Sequence, residues 1–308
     1  MASNKERVEE AQQQLEEHVA QLAGSDEWKA WLDTLAKFHN YSLNNQLLIH
    51  LQRPDATLVA GVKRWNAMGR KVMKGEKGNL ILAPCKYRAR EDDGDAERDA
   101  KDPKMVVRGF RGVYVFDVSQ TDGVPLAEPP RPRLLDGDVP EGVWDALVEQ
   151  AESDGWSFGV EDIPEQAGGR PNGFTSFVEH RIVVGEHCPP QQRVKTLAHE
   201  IAHKQLHEKV SVEDRHRGVH EVEAESVAYV VMQGVGIDSA EYSGAYLLGW
   251  SGGDAAVVRQ TAENVRRVSH DVLTDVYERV PELDPAQVEQ EAVTRQQAKD
   301  DRTLAVTA

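Results

Sequence analysis

His199-Glu200-Ile201-Ala202-His203 sets two imidazoles one helical turn apart with a carboxylate between them. On a helix, positions i and i+4 share a face, so both imidazoles reach a single ion while Glu200 leans toward a water on that ion. The spacing is that of zinc hydrolases, in which the glutamate takes a proton from the metal-activated water and returns it to the leaving amine. Being short, the pattern also arises by chance, so the flanking sequence decides its meaning.

Upstream, Pro189-Pro190 suit the first turn of a helix, where a missing N–H costs little, and the run from Gln191 to His207 reads as that helix. Leu197, Ile201 and Leu206 give it an apolar side. Downstream, Glu221 to Val231 reads as a second, more buried helix, beginning eighteen positions after His203. A catalytic zinc site takes three protein ligands and keeps a position open for water, and Glu221 completes the set begun by His199 and His203. Glu225, one turn further, is expected to hold a ligand imidazole by a hydrogen bond and is the reserve third ligand. Glu223 points elsewhere. His207 continues the ladder, but a turn rises about 5.4 Å, which places it too far along the axis to ligate, and it reads as packing or surface. His220, Tyr229, Tyr242 and Tyr246 are the candidate oxyanion donors. The expected metal is Zn2+, with Mn2+ as an alternative divalent ion.

Asn172 to Phe177 and His180 to Val184 read as two short strands ahead of this helix. A strand edge there would hold an extended chain by main-chain pairing, which favours a protein or peptide substrate over a small molecule.

A length of 308 residues with 40% hydrophobic and 29% charged residues accommodates two domains. No apolar stretch is long enough to span a bilayer, and Met1 to Glu17 lacks the apolar centre of a signal peptide, so a cytoplasmic protein without membrane partners is expected. Cys85 and Cys188 form neither a disulfide framework nor a C-x-x-C site. The net charge of −16 is unevenly spread. Arg53 to Arg90 holds ten basic residues against two acidic ones, followed by the acidic stretch Glu91 to Glu97, which reads as a loop.

Helices are expected from Glu6 to Leu22, from Ser25 through Trp28 and Trp31, and from Ser42 through Gln52. Gly75 to Gly78 turns into a strand over Leu80 to Ala83, and Met105 to Val118 adds further strand. Trp28, Trp31, Phe38, Tyr41 and Trp65 suit either base stacking or a core, with the core favoured for Trp28 and Trp31. Lys71, Lys74 and Lys77 sit in a glycine-flanked turn where burial is improbable.

Several runs carry a family likeness: Phe38-His39-Asn40-Tyr41-Ser42-Leu43-Asn44-Asn45-Gln46-Leu47-Leu48-Ile49, Ala56 to Gly61, Trp65, Gly69-Arg70-Lys71-Val72, Lys74 to Gly78 and Val115 to Thr121. They resemble the N-terminal domain of ArdC-type antirestriction proteins. That resemblance implies a module similar to single-stranded-DNA-binding domains. The DNA contacts expected of it are Asn44, Asn45, Arg53, Lys63, Arg64, Trp65, Arg70, Lys71, Lys74 and Lys77. The C-terminal half is similar to the zincin metallopeptidases of ArdC and ImmA/IrrE proteins, with His199, Glu200, His203 and Glu221 at the motif positions. Its E-x-x-x-E spacing resembles the E-x-x-x-D helix of gluzincins, with Glu225 at the usual Asp. Where ImmA/IrrE sequences often follow this helix with Met-Pro, this chain has Met232-Gln233-Gly234.

The expected fold is α+β: a mixed N-terminal single-stranded-DNA-binding domain (1–124), a Pro-rich linker (125–140), a zincin-like metallopeptidase domain (141–280), and a polar, loosely ordered tail (281–308). Helix from Tyr242 to Trp250 and from Asp254 to Val280 would close the back of the site. Two other functions fit the same resemblance: a non-catalytic protein that coats single strands around a structural metal site, and a protease that cleaves a repressor.

Overall fold

The computed structural model describes residues 3–22, 25–88, 105–126, 138–165, 169–209, 217–237, 254–287, 290, 292–294 and 296–298. Within it the chain is a mixed helix-and-strand, α+β protein. Helices α1 (Asn4–Gln21), α2 (Ser25–Lys37) and α3 (Leu43–Gln52) open the chain. In α2 the apolar side chains fall at helical spacing, and Trp28, Trp31, Leu32 and Leu35 are all buried.

β1 (Val59–Ala60) and α4 (Val62–Ala67) lead to β2 (Arg70–Val72), the ribbon β3 (Asn79–Arg88) and β4 (Met105–Asp117), and β5 (Thr121–Gly123). β1, β4 and β3 form one antiparallel sheet, and β2 pairs with β5. The edge of β3 is covered by α3 through two side-chain amides. Asn45 donates to Leu82 O at 3.0 Å and accepts from Leu82 N at 2.8 Å. Gln52 makes the same pair of bonds to Leu80, at 2.9 and 2.7 Å. An exposed ladder edge is thereby satisfied without a further strand.

The second half begins with α5 (Val143–Glu152) and β6 (Ser157–Glu161), then β7 (Gly173–Ser176), β8 (Arg181–Gly185), α6 (Pro190–His207), α7 (Arg217–Gly234) and α8 (Ala255–Arg279). The sheet runs β6-β8-β7, with β6 parallel and β7 antiparallel to β8. Ile182, Val183 and Val184 of β8 are fully buried, as the continuous apolar run of a central strand requires.

One hydrophobic cluster runs from Ala11 and Trp31 through Leu147 and Ile201 to Val227 and Val272, so both halves share a core. Polar bonds cross the same seam: Trp28 Nε1 donates to Ser226 Oγ at 3.0 Å, and Tyr229 donates its hydroxyl to Asp33 Oδ1 at 2.5 Å. The tail, expected to be loosely ordered, is described in part. Its described residues include helical 285–287, 292–294 and 296–298, and Val293 is buried with Trp65 and Met68. The acidic loop 91–97, most of the Pro-rich linker, and Tyr242 to Trp250 lie outside the described residues. Among the described residues no helix is long and apolar enough to cross a membrane.

Candidate metal centre

Helix α6 starts on Pro189 and Pro190 and runs without interruption through the His-Glu-x-x-His stretch. Its apolar side, including Leu197 and Ile201, is buried, which turns His199 and His203 toward α7. The two Nε2 atoms stand 3.0 Å apart, and Glu221 Oε2 lies 3.6 Å from His199 Nε2 and 3.9 Å from His203 Nε2. One donor atom from each of these three residues falls within 4.8 Å of the others. Around a tetrahedral ion with bonds near 2 Å, donor atoms stand about 3.3 Å from one another, so shifts of a few tenths of an ångström bring the set to a divalent ion.

Electrostatics favour a cation at the same place. Burial alone would lower the His199 pKa, but Glu221, Glu225 and Glu200 outweigh it and push the imidazole up to about 9. Burial, with His199 and His207 adding to it, holds His203 down at about 3. At neutral pH the pair therefore keeps one proton facing the carboxylates, a positive charge that a divalent ion would displace.

Each imidazole is held from behind. Glu225 Oε2 is 3.5 Å from His199 Nδ1, and its other oxygen is 2.6 Å from Lys195 Nζ. Burial raises the Glu225 pKa, but His199 and Lys195 override this and lower it, so the carboxylate remains an acceptor for the ring. Behind His203 stands His207, with the two Nδ1 atoms 2.9 Å apart, and His207 Nε2 is 2.9 Å from Glu223 Oε2. Asn264 of α8 donates to the other oxygen of Glu223 at 2.7 Å. Glu223, expected to point away, thus supports the site indirectly, and His207 joins it to the site as a buried packing residue.

Glu200 is buried at 7% exposure, and Thr175 of β7 donates to its Oε2 at 2.7 Å. Burial is the largest influence on its carboxyl and raises the pKa, against the pull of His199 and Thr175. β7 approaches this closely because residue 173 is glycine. A Cβ there would meet Thr196 Cγ2 at 2.6 Å and Glu200 Oε1 at 3.3 Å.

Of the residues considered as oxyanion donors, His220 stacks on His207 with ring centroids 3.9 Å apart. Tyr229 is 2% exposed and its hydroxyl engages Asp33 and Lys29. Its contacts tie α7 to α2, which removes it as an oxyanion donor. Tyr242 and Tyr246 lie outside the described residues.

The residues expected on a DNA face separate into two groups. Lys63, Lys71, Lys74 and Lys77 are exposed, while Arg53 and Arg64 are half-buried. Trp65, Asn45 and Arg70 are used internally. Trp65 is fully buried and donates to Phe116 O at 2.9 Å, and Asn45 covers the β3 edge. Arg70 spends its guanidinium on Thr121 Oγ1, Thr121 O and Val124 O at 2.8, 2.8 and 2.7 Å. Asn44 accepts from Arg259 of α8 at 2.6 Å. The internal roles of Trp65 and Asn45 come from strand edges and backbone carbonyls, which a count of charge and amide residues does not reveal.

A helix-borne pair of imidazoles, a glutamate between them and a carboxylate from the following helix define a candidate divalent-metal centre on an α+β scaffold. Residues 4–116 match the N-terminal domain of anti-restriction factor ArdC, and residues 157–246 match the IrrE N-terminal-like domain of peptidase family M78. The chain thus carries a region matching the ArdC N-terminal domain followed by one matching the IrrE-like M78 domain. It is 24% identical over 281 residues to an uncharacterized protein of Bacillus anthracis, covering 81% of this chain and 47% of that one. The chain thus spans about half the length of that relative. The metal-free crystal structure of antirestriction ArdC protein from plasmid R388 is similar at 20% identity and TM-score 0.49, covering 77% of this chain and 85% of that one. Its Mn(II)-bound structure is similar at 19% identity and TM-score 0.44, covering 77% and 88%.

Proposed function

We propose that this chain is a zinc-dependent peptidase that binds single-stranded DNA through its N-terminal half and cleaves proteins held near that strand. The convergence of His199, His203 and Glu221 beside a buried Glu200 carries the reading. Two imidazoles and a carboxylate suit zinc, with manganese as the alternative. Bound there, the ion would lower the pKa of a water and polarise a substrate carbonyl.

Glu200 does the proton work in this reading. Its raised pKa lets it accept a proton and release it to the leaving amine, and the Thr175 hydroxyl fixes the carboxylate while leaving Oε1 available. β7 pairs only with β8 among the described residues, so its outer edge is available to an extended peptide alongside Glu200. A structural metal site would need a fourth protein ligand. Glu225 is engaged by Lys195 and His199 Nδ1, and His207 by His203 Nδ1 and Glu223, which favours an open coordination position and a catalytic role. Exposed Lys63, Lys71, Lys74 and Lys77, in a chain of net charge −16, support the nucleic-acid part.

The test is Glu200→Gln in the metal-loaded protein. Metal content stays at the wild-type level and proteolysis of an unfolded protein substrate falls about 100- to 10,000-fold. Undiminished proteolysis would remove Glu200 as the base.

A further inference from the structure

The tryptophans with the size and flatness to stack on bases are interior: Trp28, Trp31 and Trp65 are at most 2% exposed. Large rings do stand in solvent on β4, where Phe110 is 53% and Tyr114 47% exposed. Tyr114 pairs with Leu80 and Phe110 with Pro84 in one unbroken register, so both rings leave the same face of the strand. At about 3.4 Å per residue they stand roughly 14 Å apart.

Gly112 lies midway between them and brings no side chain of its own. A Cβ built there would meet Arg7 Cβ at 2.8 Å, so Arg7 of α1 crosses the strand between the two rings. Arg7 Nε is buried and has no hydrogen-bond partner among the described residues. At the Tyr114 end, a Cβ on Gly78 would meet Tyr114 Cβ at 2.9 Å, which brings the turn bearing Lys74 and Lys77 against that ring. The only acidic residue of β3 and β4 is Asp117, which is buried and accepts from the Thr57 and Leu58 amides.

Two rings on one strand face with an arginine between them, next to a lysine turn, match what an unpaired polyanion of stackable bases requires. An apolar protein partner would have no use for the cations. We propose that Phe110, Arg7 and Tyr114 form a stacking face for the bases of single-stranded DNA, with Lys74 and Lys77 following its phosphates. This rests on the single-stranded-DNA reading above and locates it on a surface outside the metal centre.

Fluorescence anisotropy on the full chain compares an oligothymidine strand with an abasic strand of equal length and charge. Wild type prefers the thymidine strand. Phe110→Ser with Tyr114→Ser lowers thymidine binding roughly 5- to 100-fold per ring and abolishes the preference, while Tyr114→Phe retains it. Lys74→Gln with Lys77→Gln weakens both strands alike and flattens the salt dependence. Because both rings are half exposed, the melting temperature of the serine variant stays near that of wild type. An unchanged thymidine preference in that variant overturns the stacking face and leaves the DNA reading intact, the result expected if the face docks protein instead. Wild type that binds neither strand overturns both.

Discussion

His207 Nε2 meets Glu223 Oε2 at 2.9 Å, and both residues are 3% exposed. Because the carboxylate accepts, the proton sits on His207 Nε2, and the bare Nδ1 accepts from His203 Nδ1–H. His203 is left with its lone pair on Nε2, the atom that faces His199 and Glu221. The direction of the whole chain of bonds is thus set by one buried carboxylate.

Glu223→Gln removes the charge and lets an amide N–H as well as an oxygen face His207 Nε2, so that direction is no longer fixed. Metal affinity, measured by competition with a coloured chelator, falls about 10- to 100-fold while the melting temperature of the metal-free protein changes little. Unaltered affinity would show that His203 is oriented without this pair.

Lys204 is 5% exposed on α6 and donates to the carbonyls of Gln150, Ala151 and Ser153 at 2.9, 3.3 and 2.8 Å. A cation at the carbonyl end of α5 complements the helix dipole and adds a charged donor to the carbonyls that close this helix. Lys204→Met retains most of the apolar stem and deletes these bonds. Urea unfolding should show a loss of about 2–3 kcal/mol, and a loss below about 0.5 kcal/mol would mean that water replaces the ammonium.

His39 is buried, and burial, with His270 adding to it, lowers its pKa from 6.5 to about 4. The ring lies 5.3 Å from that of Tyr277 and 6.0 Å from that of His270. The unfolded chain therefore binds a proton below pH 6.5 that the folded chain refuses. The stability owed to this group is complete above pH 6.5 and is lost as the pH falls toward 4, by about 3 kcal/mol in all. Urea unfolding of wild type across this range should show that loss, and His39→Leu should lack most of it. Parallel pH profiles for the two proteins would assign the acid sensitivity to other groups.

Much of this architecture is legible in the sequence because its signals are local. The periodicity of Trp28, Trp31, Leu32 and Leu35 marks α2, Pro189-Pro190 mark the start of α6, and the four-residue spacing of His199 and His203 marks their common face. Contacts made over long sequence separations are not legible. β6 is a short strand with a glycine at its centre and owes its place to β8, twenty-four residues away in the pairing of Ser157 with Arg181. Thr175 reaches Glu200, and Asn264 reaches Glu223, only through the packing of separate elements. Asn45 and Trp65 look like recognition residues in a one-dimensional reading, yet the sheet consumes both.

The most direct test of the account is metal content by mass spectrometry on purified wild type beside Glu221→Ala. Wild type should hold about one divalent ion per chain, and the variant should lose most of it while keeping its fold by circular dichroism, since the Glu221 side chain is half exposed. A variant that retains its ion would remove Glu221 from the ligand set. A wild type that binds no divalent metal even after loading would contradict the metal centre itself and the peptidase reading built on it.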